Sequence, residues 1–275
     1  MLDSSKFSIY YDAYQEGIWF KKLNPIFNSS SMKKIENKGK NPSNVEKVIE
    51  YDRPDIILDY DNKIILVIER TEEVPSGHNV GQRFARVVKA SELIIPALYF
   101  FPFQAQKHGA ETLARKAINK TNLRFTNLRL FNAFNNIQKI HQSLILPINW
   151  SLDKNFELLR NDRKDRDVIL FLNEYLKIFQ KKPNLEELQK LKSVKKGMNE
   201  IQNFISSRSK NSHLYQKPPT SVSIINTVEF LKKISINESL LSMIRTRKKT
   251  LIYRIGMNNI RSDPYTGMLL FYDYL

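Results

Sequence analysis

The stretch from Asp55 to Phe103 constrains this chain more than any other, because it sets short β-rich runs around one helical run in a fixed order. Asp55 to Leu58 and Lys63 to Thr71 are rich in Ile, Leu and Val and flank the polar turn Asp59-Tyr60-Asp61-Asn62. That pattern predicts a hairpin buried on both faces. Thr71 to His78 reads as a loop with Pro75 and Gly77, and Asn79 to Glu92 as a helix that offers Phe84, Val87 and Val88 for packing. Leu93 to Phe101 reads as the next strand. Strand, helix, strand within so few residues requires a right-handed parallel crossover, so the sheet is mixed, an antiparallel pair plus a parallel addition. The expected fold class is α/β, a mixed central sheet flanked by helices.

On either side the signals are weaker. Phe7 to Phe20 is aromatic-rich, and Asn28 to Lys40 is polar and lysine-rich and reads as a loop or tail. Asn41-Pro42-Ser43-Asn44 supplies the cap and first turn of a short helix from Val45 to about Tyr51, which carries Glu46 and Glu50. Gln104 to Lys120 and Asn132 to Gln142 look helical, and Leu144 to Trp150 is a candidate strand. The core is expected to end there, giving a first part over 1–150 and a largely helical, basic second part over 151–275. In the latter, helices are expected around Asp165 to Gln180, Asn184 to Ile205 and Val222 to Lys233, with a linker over Ser206 to Thr220. Asp263-Pro264-Tyr265-Thr266-Gly267 is a turn sequence. The chain closes on Phe271-Tyr272-Asp273-Tyr274-Leu275 without a polar tail, so this end is expected to be docked or to continue.

Composition removes several function classes. Without cysteine, thiolate zinc sites, disulfides and cysteine nucleophiles are excluded, and the eight glycines form no phosphate-binding loop, which argues against a nucleotide cofactor. The four histidines are scattered and show no metal-ligand spacing. The longest apolar run, Leu93 to Phe103, is too short for a bilayer and is broken by two prolines, and Met1 to Tyr10 lacks an apolar leader. A cytoplasmic protein without a membrane span is the expectation.

The formal charge is +16, and it is unevenly placed: residues 1–110 hold 15 basic and 14 acidic residues, and the remainder hold 29 and 14. A near-neutral, carboxylate-bearing part followed by a part of charge +15 suits a catalytic core joined to a region that grips phosphates. Arg245, Arg247, Lys248 and Lys249 form its densest cluster.

The residues that carry chemistry lie in the hairpin and the helix after it. Asp55 opens the first strand and Glu69 ends the second, so the antiparallel return sets two carboxylates side by side. Like charges at one sheet end repel, and a hard divalent cation held by both, a backbone carbonyl and waters relieves that repulsion. The structural alternative is a strand-start role for Asp55 and a salt bridge from Glu69 to Arg86. Side chains alternate along the strand, so Glu69, Thr71 and Glu73 share a face and Arg70 turns away.

Pro54-Asp55, the hairpin, Glu69-Arg70-Thr71, the helix and the following strand resemble the PD-(D/E)xK nuclease superfamily over about residues 45–103. The family lysine is replaced by Thr71. The chain thus looks like the type II restriction endonuclease branch with acid-x-Thr and a Gln-Arg-x-x-Arg helix, here Gln82-Arg83-Phe84-Ala85-Arg86. The resemblance implies Mg²⁺ held by Asp55, Glu69 and the Arg70 carbonyl, with Glu50 as the acid on the preceding helix. It also implies double-stranded DNA as substrate and, for palindromic sites, a homodimer. Gln82, Arg86 and Lys89 share a helix face and are the candidates for the lysine's task, the first two ranking higher. Arg83, Lys89 and the cluster of Arg245, Arg247, Lys248 and Lys249 are the candidate DNA contacts. The rival expectations are a nuclease of the same fold without sequence specificity and a non-catalytic DNA-binding protein.

Overall fold

A computed structural model describes residues 2–75, 78–106, 123–126, 128–209, 219–233 and 249–255. In chain order its strands are β1 (Phe7–Tyr11), β2 (Ser31–Lys34), β3 (Ile56–Tyr60), β4 (Lys63–Arg70), β5 (Ala97–Phe101), β6 (Gln104–Gln106), β7 (Leu123–Phe125), β8 (Ile145–Asn149), β9 (Pro219–Asn226) and β10 (Lys249–Ile255). The helices are α1 (Tyr14–Lys22), α2 (Ser43–Val48), α3 (His78–Glu92), α4 (Leu128–His141), α5 (Arg166–Tyr175), α6 (Leu185–Gln189), α7 (Lys192–Ser209) and α8 (Thr227–Lys233).

A six-stranded sheet in the order β2-β1-β3-β4-β5-β8 organises the molecule. The hairpin forms, with Ile56 paired to Ile68 and Tyr60 to Lys63, and a bulge beside Leu58 and Asp59. Its turn is tighter than the sequence suggests. Asp61 and Asn62 alone make it, at φ 54° and 62°, and two left-handed residues of these types are what a two-residue turn needs to follow the strand twist. β5 lies parallel to β4 and β8 parallel to β5, so the sheet is mixed as expected.

Alternation along the strands feeds two cores. Ile57, Val67, Tyr99 and Phe101 face α3 and α4 and meet Val87, Val88, Phe131 and Phe134. Ile56, Leu66, Ile68 and Phe100 face the other way and meet Phe20 of α1 and Val168, Phe171 and Leu172 of α5. α5, α6 and the start of α7 therefore complete the second face of the sheet, with Trp150, 0% exposed, within it, while Ile201 of α7 and Phe230 of α8 join the first core.

Several expectations are corrected. Residues 31–34, read as loop, form β2 parallel to β1; an edge strand needs backbone partners more than apolar side chains, and its serine and lysines face solvent. The strand over 93–101 starts only at Ala97, because Ile94 turns the chain at φ 57° and Ile95 N–H returns to the Ala90 carbonyl at 2.9 Å, closing α3. Gln104 to Gln106 pair with β7 as strand rather than opening a helix, and residues 107–122 lie outside the described set. The linker over 206–220 is helix up to Ser209, and the helix placed over 222–233 divides into β9 and α8. Val222, Ile224 and Ile225 suit a strand, and Asn226 caps the helix by accepting from Val228 N–H at 2.9 Å. The second part, helical from α5 to α7, thus also carries an antiparallel pair.

Candidate active site

Strand direction brings the site together. β4, β5 and β8 run parallel and end at one edge of the sheet, the antiparallel β3 begins there, and β1 ends there with Tyr11 opposite Ile56. Asp55 stands at that edge just before β3, and Glu69 is next to last in β4. Asp55 is 6% exposed and Glu69 0%. Arg70 N–H donates to Asp55 Oδ2 at 2.5 Å, so the hairpin backbone itself orients the first carboxylate.

The helix α3 covers this face and projects Arg83 and Arg86, three residues apart and so on one side of it. Arg86 Nη1 donates to both Glu69 oxygens, at 3.0 and 3.1 Å, and lies 3.6 Å from Asp55 Oδ1, while its Nε donates to Asp52 Oδ2 at 2.8 Å. Arg83 Nη1 donates to Glu69 Oε1 and, at 2.9 Å, to the Arg70 carbonyl. The salt bridge between Glu69 and Arg86 is thus present. Repulsion between the two acids is met by two guanidinium groups, as a pair of carboxylates this deep requires.

Burial and the adjacent Asp55 push the Glu69 carboxyl up, and burial also raises Asp55; the neighbouring carboxylates raise Arg86 in turn. With two guanidinium groups on one carboxylate, the ion-paired form is the one this geometry holds. Tyr99, paired with Glu69 across β5, buries a hydroxyl that makes no hydrogen bond among the described residues.

No family model, no curated protein and no solved structure matches this chain.

Asp55, Glu69, the Arg70 carbonyl, Arg83 and Arg86 converge. Glu50 does not join them: it pairs with Lys89 Nζ at 2.8 Å, and that ammonium also reaches Glu92 at 3.2 Å and lies over the Tyr51 ring. Thr71 is buried, its N–H donates to the Phe100 carbonyl at 2.9 Å, and its Oγ1 accepts from Glu73 N–H at 3.1 Å, which shapes the turn out of β4. Gln82 lies on α3 with its side chain outside the described set, as does that of Lys249 in β10. Arg245, Arg247, Lys248 and the turn at 263–267 are also outside it.

Sequence reasoning missed Glu16 and Asp52. Glu16, in the first turn of α1, is pushed up to about 7 by burial and by Asp55. Asp12 N–H donates to the Asp55 carbonyl at 3.0 Å, which ties the start of α1 to the site edge. Glu16 lies in a stretch read only as aromatic-rich, and it takes α1 and the long-range β1–β3 pairing to bring it near Asp55. Asp52 was visible as an acid three residues before Asp55, without a sign that it would hold Arg86.

On the opposite face, Arg70 places its guanidinium 4.8 Å from the ring centres of both Trp19 and Trp150. Phe100 stacks on Trp150 at 4.6 Å. This clamp holds the residue whose N–H fixes Asp55 and whose carbonyl fixes Arg83.

The donor set tests what the site can hold. Two carboxylates and a carbonyl are hard oxygen donors of the kind Mg²⁺ takes, and they stand at one point of the sheet edge. Among the described residues, no three His, Asp or Glu side chains are arranged to hold a metal by themselves, so the carbonyl and waters would complete the shell. In donor type the residues fit the ion.

Proposed function

We propose that this chain is a Mg²⁺-dependent endonuclease that hydrolyses phosphodiester bonds in double-stranded DNA, of type II restriction character and built on a PD-(D/E)xK-like core. The observation that carries the reading is the buried Asp55–Glu69 pair across the β3–β4 hairpin, joined by the Arg70 carbonyl. Asp55, Glu69 and that carbonyl would hold the ion. When bound, Mg²⁺ polarises the phosphodiester and lowers the pKa of a coordinated water.

The remaining work belongs to the chain. Arg83 and Arg86 present guanidinium groups that match two phosphate oxygens at once, and they supply positive charge beside the acids where Thr71 stands at the family's lysine position. Asp52 fixes the orientation of Arg86. The +15 excess after residue 110 supports a grip on the DNA backbone. A cytoplasmic protein acting as a homodimer on palindromic sites belongs to the same proposal.

Incubating supercoiled plasmid with the full chain and Mg²⁺ tests it. Discrete fragments are the expected result; a smear would assign a nuclease without sequence specificity. One observation favours a second reading, a non-catalytic DNA-binding protein: Thr71 stands at the lysine position and arginines already neutralise the acids. DNA binding without cleavage would establish that reading.

A further inference from the structure

The three groups assigned above to a divalent cation are the groups that Arg83 and Arg86 already hold. Arg83 takes the Arg70 carbonyl and one Glu69 oxygen, and Arg86 takes both Glu69 oxygens and approaches Asp55. Arg83 and Arg86 together occupy both lone pairs of Glu69 Oε1, so a cation that coordinates this oxygen displaces one of them, and its charge repels both guanidinium groups.

The two arginines differ in how free they are. Arg86 is anchored on Asp52 through Nε, with 17% of its side chain exposed, whereas among the described residues Arg83 bonds metal-site groups alone, and 27% of its side chain is exposed. Charge balance requires one arginine to leave, and the Asp52 anchor on Arg86 makes that one Arg83. Asp52, Asp55 and Glu69 carry three negative charges against the single positive charge of Arg86, and a divalent cation closes that gap once Arg83 has left.

We infer that Arg83 and the divalent cation compete for the same oxygens, and that an incoming phosphodiester releases Arg83 by offering its guanidinium a matching acceptor. Resting on the metal-site reading, this makes DNA and metal bind with positive coupling. Without DNA, moving Arg83 into water would leave a fully buried carboxylate short of a partner, so the free protein holds metal weakly. With DNA, Arg83 passes from Glu69 to phosphate and the cation enters behind it. Coupling is reciprocal, so metal tightens DNA by the same factor.

Calorimetric titration of Ca²⁺ into the full chain, alone and with saturating plasmid fragments, tests this, with Asp55→Ala run in parallel to identify the heat that belongs to the site. Asp55-dependent Ca²⁺ affinity is expected to be about tenfold or more higher with DNA. Arg83→Gln, which keeps a donor for Glu69 without the charge, is expected to raise Ca²⁺ affinity of the DNA-free protein about tenfold and to shrink the coupling. Should that variant fail to fold, the wild-type comparison still decides. Equal Ca²⁺ affinity with and without DNA overturns the exchange and leaves the metal site standing. Absence of Asp55-dependent Ca²⁺ binding in both conditions overturns the metal site, and the exchange with it.

Discussion

Asp55 and Glu69 are adjacent, yet their surroundings assign them different costs. Asp55 is oriented by a backbone N–H, whereas Glu69 neutralises two arginines that are themselves mostly buried. Both Asp55→Ala and Glu69→Ala are expected to abolish cleavage, but Glu69→Ala also leaves buried guanidinium charge unpaired, a loss of roughly 3–5 kcal/mol. Urea unfolding of the two variants checks this, Asp55→Ala being the milder. Had the pair been held together only by a metal, removing either acid would have stabilised the metal-free protein.

Glu16 sets a pH signature. Its folded pKa of about 7 lies above the ordinary 4.5, so the folded state binds the extra proton between those values. Stability from this group is complete below about pH 4.5 and is lost as pH rises toward 7. Glu16→Gln is expected to remove that decline and to raise stability at pH 8 by on the order of 1 kcal/mol. A pH series of thermal melts measures it; identical slopes for variant and wild type would contradict the burial argument.

Among the elements, α3 carries both arginines, and its exit is strained. Ile94 is a β-branched residue at φ 57°, 68% exposed, in the position after a helix where glycine is usual. Ile94→Gly is expected to stabilise the fold by about 1 kcal/mol, read as a raised melting temperature. The same residue explains a misreading in the sequence: Leu93-Ile94-Ile95 look like strand because they are apolar, yet two of them close a helix. The β3–β4 hairpin, α3 and β5 were legible because each states its own period and the turn residues sit between them. β2 was not, since its strand character comes from pairing with β1, and neither was β9, where a short β-branched run borders a helix. The site divides in the same way. Asp55, Glu69 and Arg86 could be read from spacing along contiguous elements, whereas Glu16 and the Trp19–Arg70–Trp150 clamp depend on contacts between distant segments.

At the scale of the whole molecule, the part over 151–209 completes the sheet's second core and carries 13 basic and 9 acidic residues, so its share of the basic excess cannot be tested by cutting it away. Its α7 offers an alternative, because Lys192 and Lys195 are exposed at the start of a helix that packs along β8. DNA affinity, measured with Ca²⁺, is expected to fall steeply with salt, each phosphate contact contributing about 0.9 to the log-log slope. Replacing both lysines by glutamine is expected to lower that slope by at most about two contacts' worth; an unchanged slope would place the DNA elsewhere.

The most direct measurement compares wild type and Asp55→Ala on supercoiled plasmid in Mg²⁺, with DNA binding followed in parallel by gel shift. Wild type is expected to cut only when Mg²⁺ is present, and Asp55→Ala to bind the DNA without cutting it, since one carboxylate and a carbonyl no longer hold the ion. Cleavage by Asp55→Ala at the wild-type rate, or cleavage by wild type in EDTA, would contradict a hydrolytic site at Asp55 and Glu69.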